Sequence, residues 1–224
     1  MSQTSIIKVN YSESINSVDD LKKYYQVVRL SIESRLTEFK TLFDFANVYD
    51  LFSELAFCIL TANASAKMGL KSINALESTL FFGTEQDITN KLRGVYRFPV
   101  VRANYIVRSR AFLQERHNMD LKAVFQQFPD QYELRDYLRE NIIGIGYKEC
   151  SHFLRNVGFK GFAILDKHII SMLNVMGVGV QKPRNKREYK EIEQKMKDFA
   201  KRIDLDFDHL DLLFWSYKTG EIIK

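Results

Sequence analysis

The sequence predicts an all-α protein, and three observations lead there. From residue 19 onward, apolar residues recur at intervals of three and four, the spacing that turns one face of a helix towards a core. No segment alternates apolar and polar residues with the two-residue period of a half-buried strand. The 224 residues, 46% of them hydrophobic, can bury a substantial core and exclude a disordered chain. That length favours one domain or two closely packed lobes, and neither a low-complexity linker nor an internal repeat divides it.

Met1 to Val18 has little periodicity and several Ser and Asn residues, which reads as an extended or frayed arm ahead of a single unit over 19–224. Behind Asp19 or Asp20 as N-cap, Leu21, Tyr24, Tyr25, Val28, Ile32, Leu36 and Phe39 mark a long amphipathic helix. Leu51 to Ala62 is apolar almost all round, as a central helix buried on most faces must be. Ala66 to Phe82 and Asp87 to Tyr96 follow as two amphipathic helices separated by Gly83. Pro99 stands where a first helical turn tolerates proline and opens a helix towards Glu115, and Met119 to Phe128 is a short helix closed by Pro129.

Leu134, Tyr137 and Leu138 give Tyr132 to Asn141 one buried face, and Cys150, Phe153, Leu154 and Val157 repeat the spacing up to Gly158. Between these two helices lies Ile142-Ile143-Gly144-Ile145-Gly146-Tyr147-Lys148, a hairpin spanning 131–158 in all. Its glycines allow positive φ and close approach of another backbone. A Gly-rich turn that opens a helix also directs unpaired backbone N–H groups outward, where a phosphate can accept them; the same G-x-G pattern occurs in turns that only join packed helices. Asp166, ahead of an apolar-periodic run to Met176, reads as the next helix N-cap, and that helix stops at Gly177-Val178-Gly179. Pro183 to Ile203 is a charged surface helix with Tyr189, Ile192, Met196, Phe199 and Ile203 on one face, and Asp206 to Lys218, stopped by Gly220, closes the set.

Lys148 and Asp166 stand eighteen positions apart. A helix from Lys148 to Val157 rises roughly 15 Å, and the segment to Leu165 spans about 25 Å when extended, so the chain can return and bring the two together.

The array I-I-G-I-G-Y-K, followed by L-D-K-H-I, resembles the helix-hairpin-helix (HhH-GPD) DNA glycosylases that carry a catalytic lysine and a helix-capping aspartate. Within them it looks most like the archaeal-type 8-oxoguanine DNA glycosylase/AP lyases, two-lobed all-helical enzymes without an added β-domain. Glu54 to Asn63, Arg97-Phe98 leading to Arg102-Ala103 and Tyr105-Ile106, and the ending from Trp215 through Thr219-Gly220 to Lys224 support that subgroup. The resemblance covers roughly Leu51 to Lys224.

It implies a base-excision repair enzyme in which the Lys148 amine displaces a flipped-out 8-oxoguanine, forms a Schiff base with the sugar and cuts the strand 3′ to the abasic site by β-elimination. The amine must be neutral to attack, and the positive end of a helix dipole disfavours the ammonium. Asp166 would stay ionised, stabilise the sugar's oxocarbenium character and shuttle protons. Gly144, Ile145 and Gly146 would grip the DNA backbone. Arg97 would meet the orphaned opposite base and Phe98 the damaged-base region, with a core Phe98 as the alternative. In the family, a matching tryptophan and terminal lysine help recognise the flipped base, which assigns Trp215 and Lys224 to base recognition; a frayed tail is the alternative.

The formal charge of +5 and isoelectric point near 9.0 suit a polyanion. Lys91, Arg93, Arg97, Arg102, Arg108 and Arg110 fit a binding face, and Lys182 to Lys190 is either a second one or a solvated surface. Cys58 and Cys150 lie among apolar neighbours as core thiols, which fits a reducing compartment, and two cysteines cannot ligate an iron–sulfur cluster. The four histidines show no metalloenzyme spacing, so no cofactor is expected beyond an ion at the hairpin carbonyls. No signal peptide or membrane-length apolar run is present, and a monomer in a prokaryotic cytoplasm, associated with the nucleoid, is expected. Its partner would be double-stranded DNA carrying 8-oxoguanine or abasic sites. The rivals are a helix-hairpin-helix glycosylase for another oxidised or alkylated base, and a non-enzymatic DNA-binding module.

Overall fold

The computed structural model describes residues 6–224, so Met1 to Ser5 of the expected arm lie outside the described residues. In chain order the elements are β1 (Ile7–Lys8), α1 (Val18–Phe45), α2 (Val48–Thr61), α3 (Ala66–Leu76), α4 (Thr79–Phe82), α5 (Glu85–Leu92) and α6 (Pro99–His117). They continue with α7 (Leu121–Gln126), α8 (Gln131–Asn141), α9 (Tyr147–Asn156), α10 (Lys167–Val175), α11 (Lys186–Arg202), α12 (Phe207–Thr219) and β2 (Glu221–Ile222). The protein is all-α, its described strands being one two-residue antiparallel pair. No described helix is long and apolar enough to cross a membrane.

The chain divides into two compact units, one made of Met1–Thr41 with Gly158–Lys224 and the other of Leu42–Val157. The second unit is organised by α2, in which every residue from Leu51 to Thr61 except Ser53 is buried. Fully burying each large apolar side chain contributes about 1.5–3 kcal/mol, so this helix anchors the unit and α3, α6, α7 and α9 pack around it. Asn47 caps α2 in a reciprocal capping box with Asp50. The helix expected over Ala66–Phe82 is broken: Glu77 adopts φ +47° at the end of α3, and a single turn, α4, follows.

In the first unit, α1 buries Leu21, Tyr24, Val28, Ile32 and Phe39, the face its periodicity predicts. It starts at Val18, ahead of both expected caps. Ser17 is the cap: its hydroxyl accepts the Asp20 N–H at 3.1 Å while the Asp20 carboxylate accepts the Ser17 N–H at 3.1 Å. Hydrogen bonds from Tyr24 to Ser216 (2.9 Å) and from Tyr25 to His209 (2.8 Å) tie α1 to α12.

The described part of the arm, from Ile6 onward, and the tail both belong to this unit. Ile7 pairs with Ile222 and Lys8 with Glu221, the Val9 N–H continues the ladder onto the Gly220 carbonyl at 2.8 Å, and Ile222 and Ile223 are fully buried. Gly220 makes this return possible by ending α12 at φ +71°.

Candidate active site

The hairpin belongs to the second unit. α8 is capped by Ile142, whose N–H still reaches the Leu138 carbonyl, and the chain reverses through Gly144 at φ +85°. Gly146 does not use the glycine-only region. At φ −106°, ψ −169° it is extended N-cap backbone that any residue adopts. The first bond within α9 runs from Cys150 N–H to the Gly146 carbonyl, so the N–H groups of Tyr147, Lys148 and Glu149 precede the helix's own ladder.

Lys148 is the second residue of α9, and Glu149 is the third. The Glu149 carboxylate accepts the Gly146 N–H through Oε2 at 3.1 Å and places Oε1 3.5 Å from the Lys148 Nζ. The sequence reading passed over Glu149, although an acidic residue three positions after a helix cap is a recognised signal. Arg135, fully buried on α8, donates to Ser151 Oγ at 3.0 Å and lies over the rings of Tyr132 and Tyr147, while the Arg139 guanidinium lies 5.6 Å from the Tyr147 ring centre. At the far end of α9, buried Asn156 donates to Glu54 on α2 at 2.7 Å. Burial pushes the Cys150 thiol far up, so it is a packing residue and not a nucleophile.

Asp166 belongs to the first unit and caps α10 as expected: its Oδ1 accepts the N–H groups of His168 (2.8 Å) and Ile169 (2.9 Å). The segment leading to it, Phe162 to Leu165, is buried and lies outside the described two-strand pair. Its backbone donors go to side chains instead. Gly161 donates to Asp208 at 2.7 Å, Ala163 to Glu193 at 2.9 Å, Ile164 to Asp211 at 3.3 Å and Leu165 to the Tyr189 hydroxyl at 3.4 Å; Tyr189 in turn donates to the Ala163 carbonyl at 2.6 Å. Buried carboxylates are costly unless hydrogen-bonded, and here they substitute for a neighbouring strand. The only sequence signal for this cradle is acidic residues set on the buried faces of α11 and α12.

Phe98 is not a core residue. It caps α6 at 43% exposure with the Arg97 guanidinium 4.8 Å from its ring, and Val100 and Val101 beside it are also exposed. The basic stretch around it is less uniform than expected. Arg102 is buried and donates to the Ala62 carbonyl at 2.5 Å, and Arg110 donates to the carbonyls of Leu80 (2.9 Å) and Gly83 (2.6 Å). These two close carbonyls of their own unit, leaving Arg93, Arg97 and Arg108 exposed. In the Lys182 to Lys190 stretch, Arg184 and Arg187 pair with Glu188 and Glu191 one turn on, a solvated helix surface. Trp215 is half-buried on α12, and Lys224 follows the buried Ile222 and Ile223 with partial exposure.

A two-helix hairpin with a lysine in the first turn of its second helix, in an all-helical chain, defines the helix-hairpin-helix class. The family model for 8-oxoguanine DNA glycosylase matches residues 32–205. An 8-oxoguanine DNA glycosylase/AP lyase of Thermoplasma volcanium is 41% identical over 196 residues, covering 87% of this chain and 92% of its own. That of Korarchaeum cryptofilum is 36% identical over 200 residues, covering 88% and 92%. Among solved structures, the Methanocaldococcus jannaschii 8-oxoguanine glycosylase/lyase, in complex with a 15mer DNA containing 8-oxoguanine, superposes with a TM-score of 0.83 at 33% identity over 92% of this chain and 99% of its own. The chain belongs to the archaeal-type 8-oxoguanine DNA glycosylase family.

Proposed function

We propose that this protein is a base-excision repair enzyme that removes 8-oxoguanine from double-stranded DNA and cleaves the strand at the resulting abasic site. The observation that carries the reading is Lys148 in the first turn of the helix leaving the Gly144 turn, in a chain of this family. Backbone N–H groups of the hairpin around Gly144, Ile145 and Gly146 hold a DNA phosphate, which fixes the sugar of the flipped nucleotide. The Lys148 amine then attacks C1′, the bond from C1′ to the base breaks with its electrons on the base, and the base leaves with a proton. Opening of the sugar gives a Lys148 imine. Loss of a C2′ proton expels the 3′ phosphate by β-elimination, and water releases the lysine. Asp166, held as an acceptor by two helix N–H groups, stabilises positive charge on the sugar and carries protons.

Phe98 helps line the damaged-base region, Arg97 meets the opposite base, and Trp215 with Lys224 reads the damaged base. The reaction uses side chains alone and one protein copy per lesion. Borohydride trapping on duplexes carrying 8-oxoguanine, an oxidised pyrimidine, an alkylated purine or an abasic site tests the reading. A trapped adduct with 8-oxoguanine and abasic DNA is expected. Preference for another lesion would reassign the substrate, and binding without any adduct would leave only a DNA-binding module.

A further inference from the structure

Glu149 touches both atoms on which the proposed chemistry depends. One carboxylate oxygen accepts the Gly146 N–H, the donor at the mouth of the hairpin, and the other lies 3.5 Å from the Lys148 Nζ. Its side chain is only 15% exposed, so the negative charge sits in the end of the hairpin and not in solvent. A glutamate at the third position of a helix commonly serves only to satisfy the cap. Here the same carboxylate also holds the lysine.

We propose that Glu149 is a positioning residue that keeps Lys148 out of action until a DNA phosphate displaces it from the hairpin. The inference rests on the reading of Lys148 as nucleophile. A phosphate oxygen and a carboxylate oxygen cannot both occupy the Gly146 N–H, and two anions in contact repel. A phosphate arriving at the turn therefore drives the carboxylate away, and the contact with Nζ goes with it. That contact turns the Lys148 Nζ to the carboxylate, and a nucleophile held there is not placed to approach C1′. Docking of the DNA backbone and release of the nucleophile become one event. Away from DNA, the lysine is guarded from adventitious aldehydes.

Glu149→Gln separates this role from capping, since an amide oxygen still accepts the Gly146 N–H but bears no charge. Two measurements on the whole protein are needed. In the absence of DNA, reductive methylation with formaldehyde and borohydride, read at Lys148 by peptide mass, is expected to run several-fold faster in the variant, with other lysines unchanged. Fluorescence anisotropy with an undamaged duplex is expected to give roughly tenfold tighter binding, the scale of a removed like charge at an interface. Loss of a purely structural group produces neither gain. Equal methylation of Lys148 in both proteins, or unchanged or weaker duplex binding by the variant, overturns the proposal. Glu149→Ala should show the same faster methylation at a lower melting temperature, which keeps the test open if the glutamine variant folds poorly. If the wild-type protein traps no adduct with abasic DNA, the assignment of Lys148 fails, while methylation and anisotropy still judge Glu149.

Discussion

The ring of Tyr105 on α6 fills the space where a Cβ on Gly144 would have to go. Gly144 is therefore fixed twice, by its φ of +85° and by this contact. Gly146, two residues on, is constrained by neither, for its added Cβ would meet nothing nearer than Glu149 Oε2 at 3.4 Å. Gly144→Ala is expected to cost about 2–4 kcal/mol by thermal melting, and Gly146→Ala less than about 1 kcal/mol. A bulky residue at Gly146 should then leave the fold standing but weaken binding to damaged and undamaged duplexes alike. Unimpaired binding would show that DNA does not approach this backbone.

Lys148→Gln is expected to abolish the borohydride-trapped adduct while leaving duplex binding within about threefold, because the hairpin's donors are backbone groups. Asp166→Asn should melt close to wild type, asparagine being an equally good cap, yet release 8-oxoguanine at least about a hundredfold more slowly. Normal excision by Asp166→Asn would remove the electrostatic role argued for its charge.

The buried pairing of the tail sharpens a prediction for base recognition. Deleting Lys224 alone leaves Ile7 opposite Ile222 and Ile223 in the core, so melting should hardly change. Excision of 8-oxoguanine should fall much more than cleavage of abasic DNA, which has no base to read. Trp215→Ala should behave similarly with some loss of stability. Equal loss of both activities in a folded deletion variant would sink the recognition role.

Stability should also report the first turn of α1 as acid is added. The Ser17 hydroxyl, followed by the Asn16 N–H, holds the Asp20 carboxyl below its ordinary value. A depressed folded value means that the stabilisation is full above the unfolded carboxylate range near about 3.9 and is lost as pH falls through the lower folded value. Asp20→Asn should melt lower than wild type at about pH 7, with the difference closing below about pH 3. A difference independent of pH would assign the effect to side-chain shape.

What the sequence made legible was local. Asp166 as a cap, Pro99 as a first-turn residue and the turn at Gly144 each follow from chemistry within a few residues, and each stands in the structure where that chemistry puts it. The break at Glu77 was hidden because its apolar spacing continues through Phe82, while the backbone turns on one residue at positive φ. The roles of Arg102 and Arg110 were misread for another reason. A guanidinium looks alike in sequence whether it faces phosphate or a carbonyl of its own chain. The cradle under residues 161–165 joins groups as far as 47 positions apart, and no periodicity encodes such a pairing.

One unit is a single unbroken run, Leu42–Val157, whereas the other is assembled from the stretches that precede and follow it in sequence. During synthesis the continuous unit has all its parts as soon as Val157 clears the ribosome. The first half of α1 must wait, unpartnered, for α12 to be made, a long-range closure of the slow kind. A nascent chain can thus fold its hairpin, with Lys148 in place, while Asp166 is still inside the ribosome and the unit that holds it has yet to form.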